Sequence, residues 1–166
     1  IPLSWIKKYV PLKMPAREVA HRLTMAGTEI GTVKEIGNDW DTDKILVGHV
    51  LAVEPHPNAD RLTIPTIDLG QGEHVTVVCG APNLETGQKI AFAKEGSLLY
   101  NHRSGDKESL KSTKIRGVPS SGMICSEKEL GLSDDHSGIL VLPDTTETGT
   151  PLVEEIGDVI FDADIT

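Results

Sequence analysis

The sequence predicts an α+β fold in which a small five-stranded β-barrel is inserted into a split α/β domain. Short apolar, β-branched runs separated by turn residues follow one another from residue 45 to residue 126. No helical spacing of apolar residues interrupts these runs. In addition, candidate strands at residues 28–36 and 159–165 have no neighbouring strand in sequence. The simplest way to give each of these strands a hydrogen-bonding partner is to pair the two end segments with each other.

Two short helices are predicted at the start of the chain. Ser4 has the chemistry of a helix cap and precedes a helix at residues 5–10. Pro15 suits the first turn of a second helix, because its fixed φ matches the helix and its missing N–H is not needed there. One face of this second helix carries the apolar stripe Ala16, Val19, Ala20 and Leu23.

The first 40 residues cannot bury much apolar surface by themselves. We therefore expect residues 1–40 to form an α/β support that residues 150–166 complete. A short helix at 153–156 and a strand at 159–165 are the elements predicted in that return segment.

Residues 41–149 are predicted to form the barrel. The polar and basic stretch 97–112 is expected to be a loop. Antiparallel strands with turn signals at short intervals are typical of a Greek-key barrel of the oligonucleotide/oligosaccharide-binding (OB) kind. The predicted strands are Ile45–Val53, Thr63–Leu69, Val75–Cys79, Gly87–Ala93, and a fifth strand or bent pair within residues 113–126.

Charge is distributed unevenly along the chain, whose net charge is −9. Residues 101–116 carry five basic and two acidic side chains, whereas residues 117–166 carry one lysine and eleven acids. A general nucleic-acid coat protein is therefore disfavoured, and DNA is not an expected partner. An RNA would meet one basic segment and be repelled by the acidic end.

The expected location is the cytoplasm. No apolar run approaches the roughly 20 residues of a membrane span, and no charged start with an apolar run indicates a secretory signal. Two cysteines far apart in sequence, Cys79 and Cys125, fit reduced thiols better than a disulfide framework.

No residue is predicted to be catalytic or to bind a metal. The cysteines match no zinc spacing, and no base is placed beside either thiol by sequence, so a cysteine hydrolase is disfavoured. Asp134-Asp135-His136-Ser137 is expected to form turns and caps, and His56 to be an exposed turn residue. Neither standard phosphate-loop spacing is present.

The basic segment 103–116 allows two interpretations. It is either a solvated loop or a contact for RNA phosphates. Phe92 and Tyr100 are the only aromatic residues of the barrel strands and loops that could stack on bases. Recognition of a folded RNA by shape and backbone is therefore favoured over sequence-specific reading of a single strand.

Three motifs resemble the tRNA-binding OB module of several aminoacyl-tRNA synthetases. They are His-Pro-Asn-Ala-Asp-Arg-Leu at 56–62, Val-Cys-Gly-Ala-Pro-Asn at 78–83, and Lys-Ile-Arg-Gly-Val at 114–118 with Ser-Gly-Met at 121–123. The flanking segments 3–6, 22–27 and 126–132 occur in the same order as in the N-terminal region of bacterial phenylalanyl-tRNA synthetase β chains. The resemblance covers essentially the whole sequence.

This resemblance implies an α₂β₂ ligase that joins phenylalanine to its tRNA with ATP and magnesium. Its catalytic centre lies in the α chain, so the present sequence is expected to be a non-catalytic accessory region without a cofactor of its own. The implied partners are tRNA, the α chain and the remainder of the β chain. The alternative is a free-standing tRNA-binding OB-fold protein.

The resemblance also assigns the candidate RNA-binding residues. The module's motif maps to Lys114, Arg116 and Ser121, with Asn83 nearby. Lys and Arg suit phosphate contacts, while Ser and Asn suit phosphate or the 2′-hydroxyl. The basic segment adds Arg103, Lys107 and Lys111 as further candidates.

Overall fold

A computed structural model describes residues 1–164, which form two compact units. We call residues 1–38 with 156–164 the terminal unit and residues 39–155 the central unit. Within the described residues the elements are α1 (Leu3–Tyr9), α2 (Ala16–Met25), β1 (Glu29–Ile36), β2 (Ile45–Pro55), β3 (Thr63–Asp68), β4 (His74–Thr76), β5 (Lys89–Ala93), β6 (Leu98–Tyr100), β7 (Lys107–Ser109), β8 (Thr113–Ile115), β9 (Val118–Ser120), β10 (Met123–Ile124), β11 (Val141–Leu142), α3 (Leu152–Ile156) and β12 (Asp158–Asp164).

In the terminal unit, β1 pairs with β12 in antiparallel register, with Val33 opposite Phe161. Phe161 is fully buried, and the apolar stripe of α2 packs in the same cluster, as its spacing predicted. The strand predicted at 159–165 is described as far as residue 164, and its last residue lies outside the described part of the chain.

The predicted capping role of Ser4 is wrong. Helix α1 begins at Leu3, and Pro2 is its N-cap without a side-chain hydrogen bond. The Ser4 hydroxyl instead donates to Asp158 Oδ2 at 2.5 Å, and the Ser4 backbone N–H donates to Oδ1 at 3.1 Å. Partial burial raises the pKa of Asp158, but hydrogen bonds from Ser4 and Val159 outweigh this effect and leave the pKa lowered.

The central unit is built on a curled antiparallel sheet with the strand order β10-β5-β2-β3-β4 and with β11 also paired to β5. Strand β2 pairs with β5 from Ile45 to His49 and with β3 from His49 to Pro55. A register shift between Val50 and Ala52 marks where the strand bends. This change of partner along one strand curls the sheet around its apolar side.

The core of the central unit lies on the concave side of this sheet. Its members are Val50, Ile67, Leu69, Val77, Ile90, Phe92, Ile124 and Ile139. Gly48 is required by the close packing, because a Cβ there would lie 2.6 Å from Ile67 Cγ2 and 2.9 Å from Ile90 Cδ1.

Residues 97–112 are not the loop that their composition predicted. They contain the hairpin β6–β7, with Leu98 opposite Ser109 and Tyr100 opposite Lys107. Leu99 is buried, whereas all three residues of β7 are exposed, so the second strand has no apolar pattern. The predicted third strand is also shorter than expected, since β4 ends at Thr76 and Cys79 forms only an isolated bridge with Thr63.

Among residues 1–164, no helix combines the length and the apolar character needed to cross a membrane.

Candidate nucleic-acid interface

The hairpin β8–β9 presents two of the candidate cations. Its strands pair Thr113 with Ser120 and Ile115 with Val118, which leaves Arg116 and Gly117 as a two-residue turn. Both turn residues have positive φ, 52° and 88° respectively, as a type I′ turn requires. The side chains of Lys114 and Arg116 are exposed. The turn therefore displays two basic side chains within three residues.

The connection between β2 and β3 holds this hairpin in place. His56 Nε2 lies 3.0 Å from the carbonyl oxygen of Ile115, and the Asn58 backbone N–H donates to His56 Nδ1 at 3.0 Å. Because Nδ1 accepts a hydrogen bond, the ring proton is on Nε2, which donates to Ile115. The Asn58 side-chain amide adds a bond to the Arg116 carbonyl oxygen at 3.2 Å. Two hydrogen bonds thus hold the hairpin backbone at Ile115 and Arg116, and the third orients the His56 ring.

The prediction that His56 is an exposed turn residue is wrong. Its relative exposure is 6%. Its hydrogen-bond partner Ile115 is 59 residues away in sequence, so local turn chemistry could not reveal the contact. The His-Pro-Asn motif therefore serves as an anchor for the basic hairpin.

Ser121 lies in a polar cluster that contains a carboxylate. Its hydroxyl is 2.7 Å from the Ser112 hydroxyl and 3.5 Å from Glu95 Oε2. Hydrogen bonds from the Ser112 hydroxyl and backbone, together with the one from Ser121, hold the pKa of Glu95 below its usual value. A carboxylate at this position would repel an approaching phosphate, so Ser121 is a poor phosphate ligand in this conformation.

Asn83 has a structural role in the central unit. Its Nδ2 donates to the Ile139 carbonyl oxygen at 3.0 Å, and its Oδ1 accepts from the Ile139 N–H at 2.9 Å. The side-chain nitrogen and oxygen of Asn83 therefore both bond to the backbone of the segment before β11 and stabilise it.

The remaining candidates are separate from the β8–β9 turn in sequence and contacts. Lys107 on β7 forms an ion pair with Asp39, and its ammonium lies 5.1 Å from the centre of the Tyr100 ring. The hydrogen bond to Asp39 raises the pKa of Lys107. Arg103 is exposed in the β6–β7 turn, and Lys111 is exposed in the segment that leads into β8.

The two cysteines have the environment of structural thiols. Burial raises the pKa of Cys125, which is completely inaccessible, and of Cys79, which is partly buried. A raised pKa disfavours the reactive thiolate, so these environments fit the predicted structural role.

A further cluster was missed by the sequence analysis. His102, Glu129 and His136 bring their ligand-type atoms within 4.8 Å of one another. Only His136 belonged to a segment that was considered for metal binding, and the other two donors come from other loops. No sequence spacing signals such a set.

The central unit is thus a β domain with a curled antiparallel sheet and an anchored basic hairpin, a form that fits an OB-like tRNA-binding domain. The chain belongs to the tRNA_bind family, described as "Putative tRNA binding domain", which matches residues 45–151. The match includes the whole curled sheet, the β8–β9 hairpin and its His56 anchor.

The more specific resemblance seen in the sequence is also confirmed. The chain is 45% identical over 166 residues to the phenylalanine–tRNA ligase beta subunit of Dehalococcoides mccartyi (strain ATCC BAA-2266 / KCTC 15142 / 195), covering all of this chain and 20% of that protein. It is 42% identical over 178 residues to the protein of the same name from Salinibacter ruber (strain DSM 13855 / M31). That alignment covers 100% of this chain and 21% of the relative. The chain thus spans about one fifth of these curated relatives.

A solved structure described as a MetRS related protein from Pyrococcus horikoshii also aligns with this chain. Its TM-score is 0.46 at 22% identity, over 64% of this chain and 86% of that one.

Proposed function

We propose that this chain is a non-catalytic tRNA-binding region of a phenylalanine–tRNA ligase β subunit. It contributes to the positioning of tRNA or to the architecture of the β subunit, in the cytoplasm. An α chain and the rest of the β chain supply the ligation of phenylalanine, as an α₂β₂ enzyme. The proposal is supported by similarity to such β subunits over the full length of the chain.

ATP and magnesium are proposed for the remainder of that enzyme and not for this region. The sequence contains neither standard phosphate-loop spacing. We accordingly expect the isolated chain to show no phenylalanine-dependent exchange of pyrophosphate into ATP. Exchange by the purified chain above the level of a buffer control would contradict the non-catalytic assignment.

The proposed fold is a five-stranded OB barrel inserted in sequence into an α/β domain. The barrel comprises residues 41–149, and the α/β domain comprises residues 1–40 and 150–166. The curled sheet and the change of partner along β2 support the barrel. The antiparallel pairing of β1 with β12 supports a domain that is discontinuous in sequence.

Lys114 and Arg116 are the proposed principal contacts to tRNA phosphates. The observation that carries this proposal is the fixed type I′ turn, whose backbone is anchored by His56 and Asn58 while both basic side chains remain exposed. Side chains on an immobilised backbone lose less entropy on binding than side chains on a mobile loop. Lys111 and Arg103 are proposed as secondary contacts.

The acidity of the chain sets an expectation for affinity. Residues 117–166 carry eleven acids against one lysine and repel a polyanion. We therefore expect weak binding by the isolated chain, with a steep dependence on salt because the attraction depends on phosphate contacts.

Fluorescence anisotropy with labelled tRNA, measured over a series of salt concentrations, tests this proposal. Lys114→Ala and Arg116→Ala should each lower the affinity and reduce the slope of log K against log[salt] by about 1, because each removes about one phosphate contact. Lys34→Ala is the matched control, since Lys34 is an exposed lysine on β1 of the terminal unit. The tRNA affinity and salt slope of Lys34→Ala should equal those of the unmodified chain.

Two results would count against the interface. One is a slope that is unchanged in both hairpin variants. The other is an equal loss in Lys34→Ala, which would show that tRNA responds only to overall charge. Neither result would bear on the test of catalysis, so the two parts of the proposal can fail separately.

A further inference from the structure

Three loops of the central unit bring metal-binding side chains together. His102 lies in the turn between β6 and β7, Glu129 in the turn that follows β10, and His136 in the segment before β11. Their candidate ligand atoms all lie within 4.8 Å of one another. Two imidazoles and one carboxylate are a ligand set that proteins use for zinc.

The backbone holds these three loops together without a metal. The Tyr100 N–H donates to the Glu129 carbonyl oxygen at 2.9 Å, which joins the β6–β7 hairpin to the turn after β10. The Lys128 N–H donates to the Asp135 carbonyl oxygen at 3.1 Å, which joins that turn to the loop of His136. The convergence of the donors therefore follows from the fold and does not depend on chance rotamers alone.

The Glu129 carboxylate is oriented by neighbouring groups. The backbone N–H and the hydroxyl of Ser126 both donate to Glu129 Oε2. Neither bond uses Oε1, which remains available as a ligand atom. Hydrogen bonds that fix a ligating carboxylate in this way are typical of the outer shell of metal sites.

The two histidine rings are in direct contact. Their rings meet edge to face, with centroids 4.4 Å apart and an interplanar angle of 85°. Tetrahedral zinc with ligand bonds of about 2.0–2.2 Å requires ligand atoms roughly 3.3–3.6 Å apart. The candidate ligand atoms lie within 4.8 Å of one another. Because both histidines are exposed, modest rotation of their side chains can bring the ligand atoms to the shorter spacing that zinc requires.

Local charge favours a cation at this position. Residues 127–137 carry the acids Glu127, Glu129, Asp134 and Asp135 against the single basic residue Lys128. A dication would reduce the mutual repulsion of these carboxylates. The same acidic surroundings would disfavour an anionic ligand.

We propose that His102, Glu129 and His136 bind one divalent late transition-metal ion, for which zinc is the appropriate probe. Two imidazole nitrogens disfavour magnesium and calcium, which prefer oxygen ligands. Three protein ligands leave the fourth tetrahedral position for water. The bound ion clamps the tip of the β6–β7 hairpin to the segment before β11.

Zinc binding is measured with the tag-free chain by competition against a chromophoric chelator, and Co²⁺ absorption reports tetrahedral geometry. One ion should bind per chain and raise the unfolding temperature. His102→Ala and His136→Ala should each weaken binding by more than about 100-fold, because changes in the outer shell alone cost about 10–100-fold. Ser126→Ala removes the hydroxyl that donates to Glu129 and should weaken zinc binding by about 10–100-fold.

Two control variants locate the site. His21→Ala removes an exposed histidine on α2 of the terminal unit and should leave zinc affinity unchanged. Cys79→Ser should also leave it unchanged, although Cys79 lines the same cleft of about 330 Å³ as Glu129 and His136. Because His102 and His136 are exposed, their variants should unfold at the temperature of the unmodified chain when a chelator is present.

The proposal is overturned if zinc affinity survives in both His102→Ala and His136→Ala. It is also overturned if Cys79→Ser abolishes binding while the histidine variants do not, since the thiol would then be the principal ligand. Absence of 1:1 binding by the folded, unmodified chain would mean that the histidines form only an aromatic contact.

Discussion

The anchoring role of His56 makes a quantitative prediction for the β8–β9 hairpin. His56→Ala removes the bond from Nε2–H to the Ile115 carbonyl oxygen and the bond from the Asn58 N–H to Nδ1. The Asn58 residue is exposed and its N–H can bond to water, whereas Ile115 is half-buried. Loss of the bond from Asn58 should cost about 1 kcal/mol, and loss of the bond to the half-buried Ile115 carbonyl should cost about 1–2 kcal/mol. The free energy of unfolding should therefore fall by about 2–3 kcal/mol.

A conservative variant separates the two bonds. In His56→Gln, the amide N–H can replace Nε2–H as donor to Ile115, but no acceptor remains at the position of Nδ1. This variant should therefore lose only about 1 kcal/mol. The exposed His21 on α2 offers the control, and His21→Ala should change stability by less than about 0.5 kcal/mol.

Urea unfolding followed by the fluorescence of Trp40 is a suitable assay. Trp40 is buried in the central unit, where its indole N–H donates to the Leu130 carbonyl oxygen at 3.0 Å. The other tryptophan, Trp5, is 62% exposed and belongs to the terminal unit, so all variants carry Trp5→Phe. A loss below about 0.5 kcal/mol in His56→Ala, or an equal loss in His56→Ala and His56→Gln, would refute the anchoring argument.

The same variant has a consequence for tRNA binding. In His56→Gln, Lys114 and Arg116 keep their charges but their backbone loses one of its supports. The affinity for tRNA should therefore fall while the salt slope stays unchanged, in contrast to Lys114→Ala, whose slope should fall by about 1. A reduced salt slope in His56→Gln would mean that His56 affects the phosphate contacts themselves. The distinction between His56 as an anchor and Lys114 as a contact would then fail.

Three further predictions concern packing, thiol reactivity and acid stability. Gly122→Ala should destabilise the chain by at least about 1 kcal/mol in urea unfolding, because φ at this position is 113° and the added Cβ would overlap the Phe92 ring. Iodoacetamide at pH 8 should leave Cys125 unmodified in the folded chain and modify it in urea, as mass spectrometry can show, because burial raises the pKa of this thiol. Asp158→Asn should lower stability at pH 7 by no more than about 1 kcal/mol, and the difference from the unmodified chain should vanish in acid. The pKa of Asp158 is lowered by Ser4, so its stabilising contribution is present above the usual aspartate pKa and is lost as pH falls through the folded-state value.

Each of these predictions has an opposite outcome that contradicts it. Unchanged stability in Gly122→Ala would mean that the backbone there relaxes without cost. Rapid modification of Cys125 in the folded chain would show that this site opens readily. A difference between Asp158→Asn and the unmodified chain that grows in acid would reverse the assigned direction of the pKa shift.

The strands that form the sheet of the central unit could be predicted because their side chains carry the pattern of burial. Strands β2, β3 and β5 are β-branched or apolar on the face that enters the core, and turn residues bound them. Strand β7 could not be predicted, since all three of its residues are exposed and only its pairing with β6 makes it a strand. Local patterns thus reveal elements that bury apolar surface and miss those held by backbone bonds alone.

The contacts of individual polar side chains were harder to predict from the sequence, for a related reason. Ser4 and His56 have side chains whose local chemistry suits caps and turns, yet their partners Asp158 and Ile115 are distant in sequence. The donors around Glu129 are likewise collected from separate loops by backbone bonds that no spacing predicts. The motif resemblance identified Lys114 and Arg116, but the structure was needed to show what holds them.

The opposing charges of the chain have one further implication for how it would bind tRNA. The anchored hairpin offers few phosphate contacts, and the acidic residues 117–166 oppose the approach of a polyanion, so direct affinity must be small. A weak contact becomes effective when it is tethered to other contacts on the same ligand, because the second binding event is then intramolecular. If the remainder of a ligase supplies those other contacts, a low intrinsic affinity lets this region orient tRNA without retaining it after the reaction. An acidic domain can therefore keep a rigidly anchored basic turn.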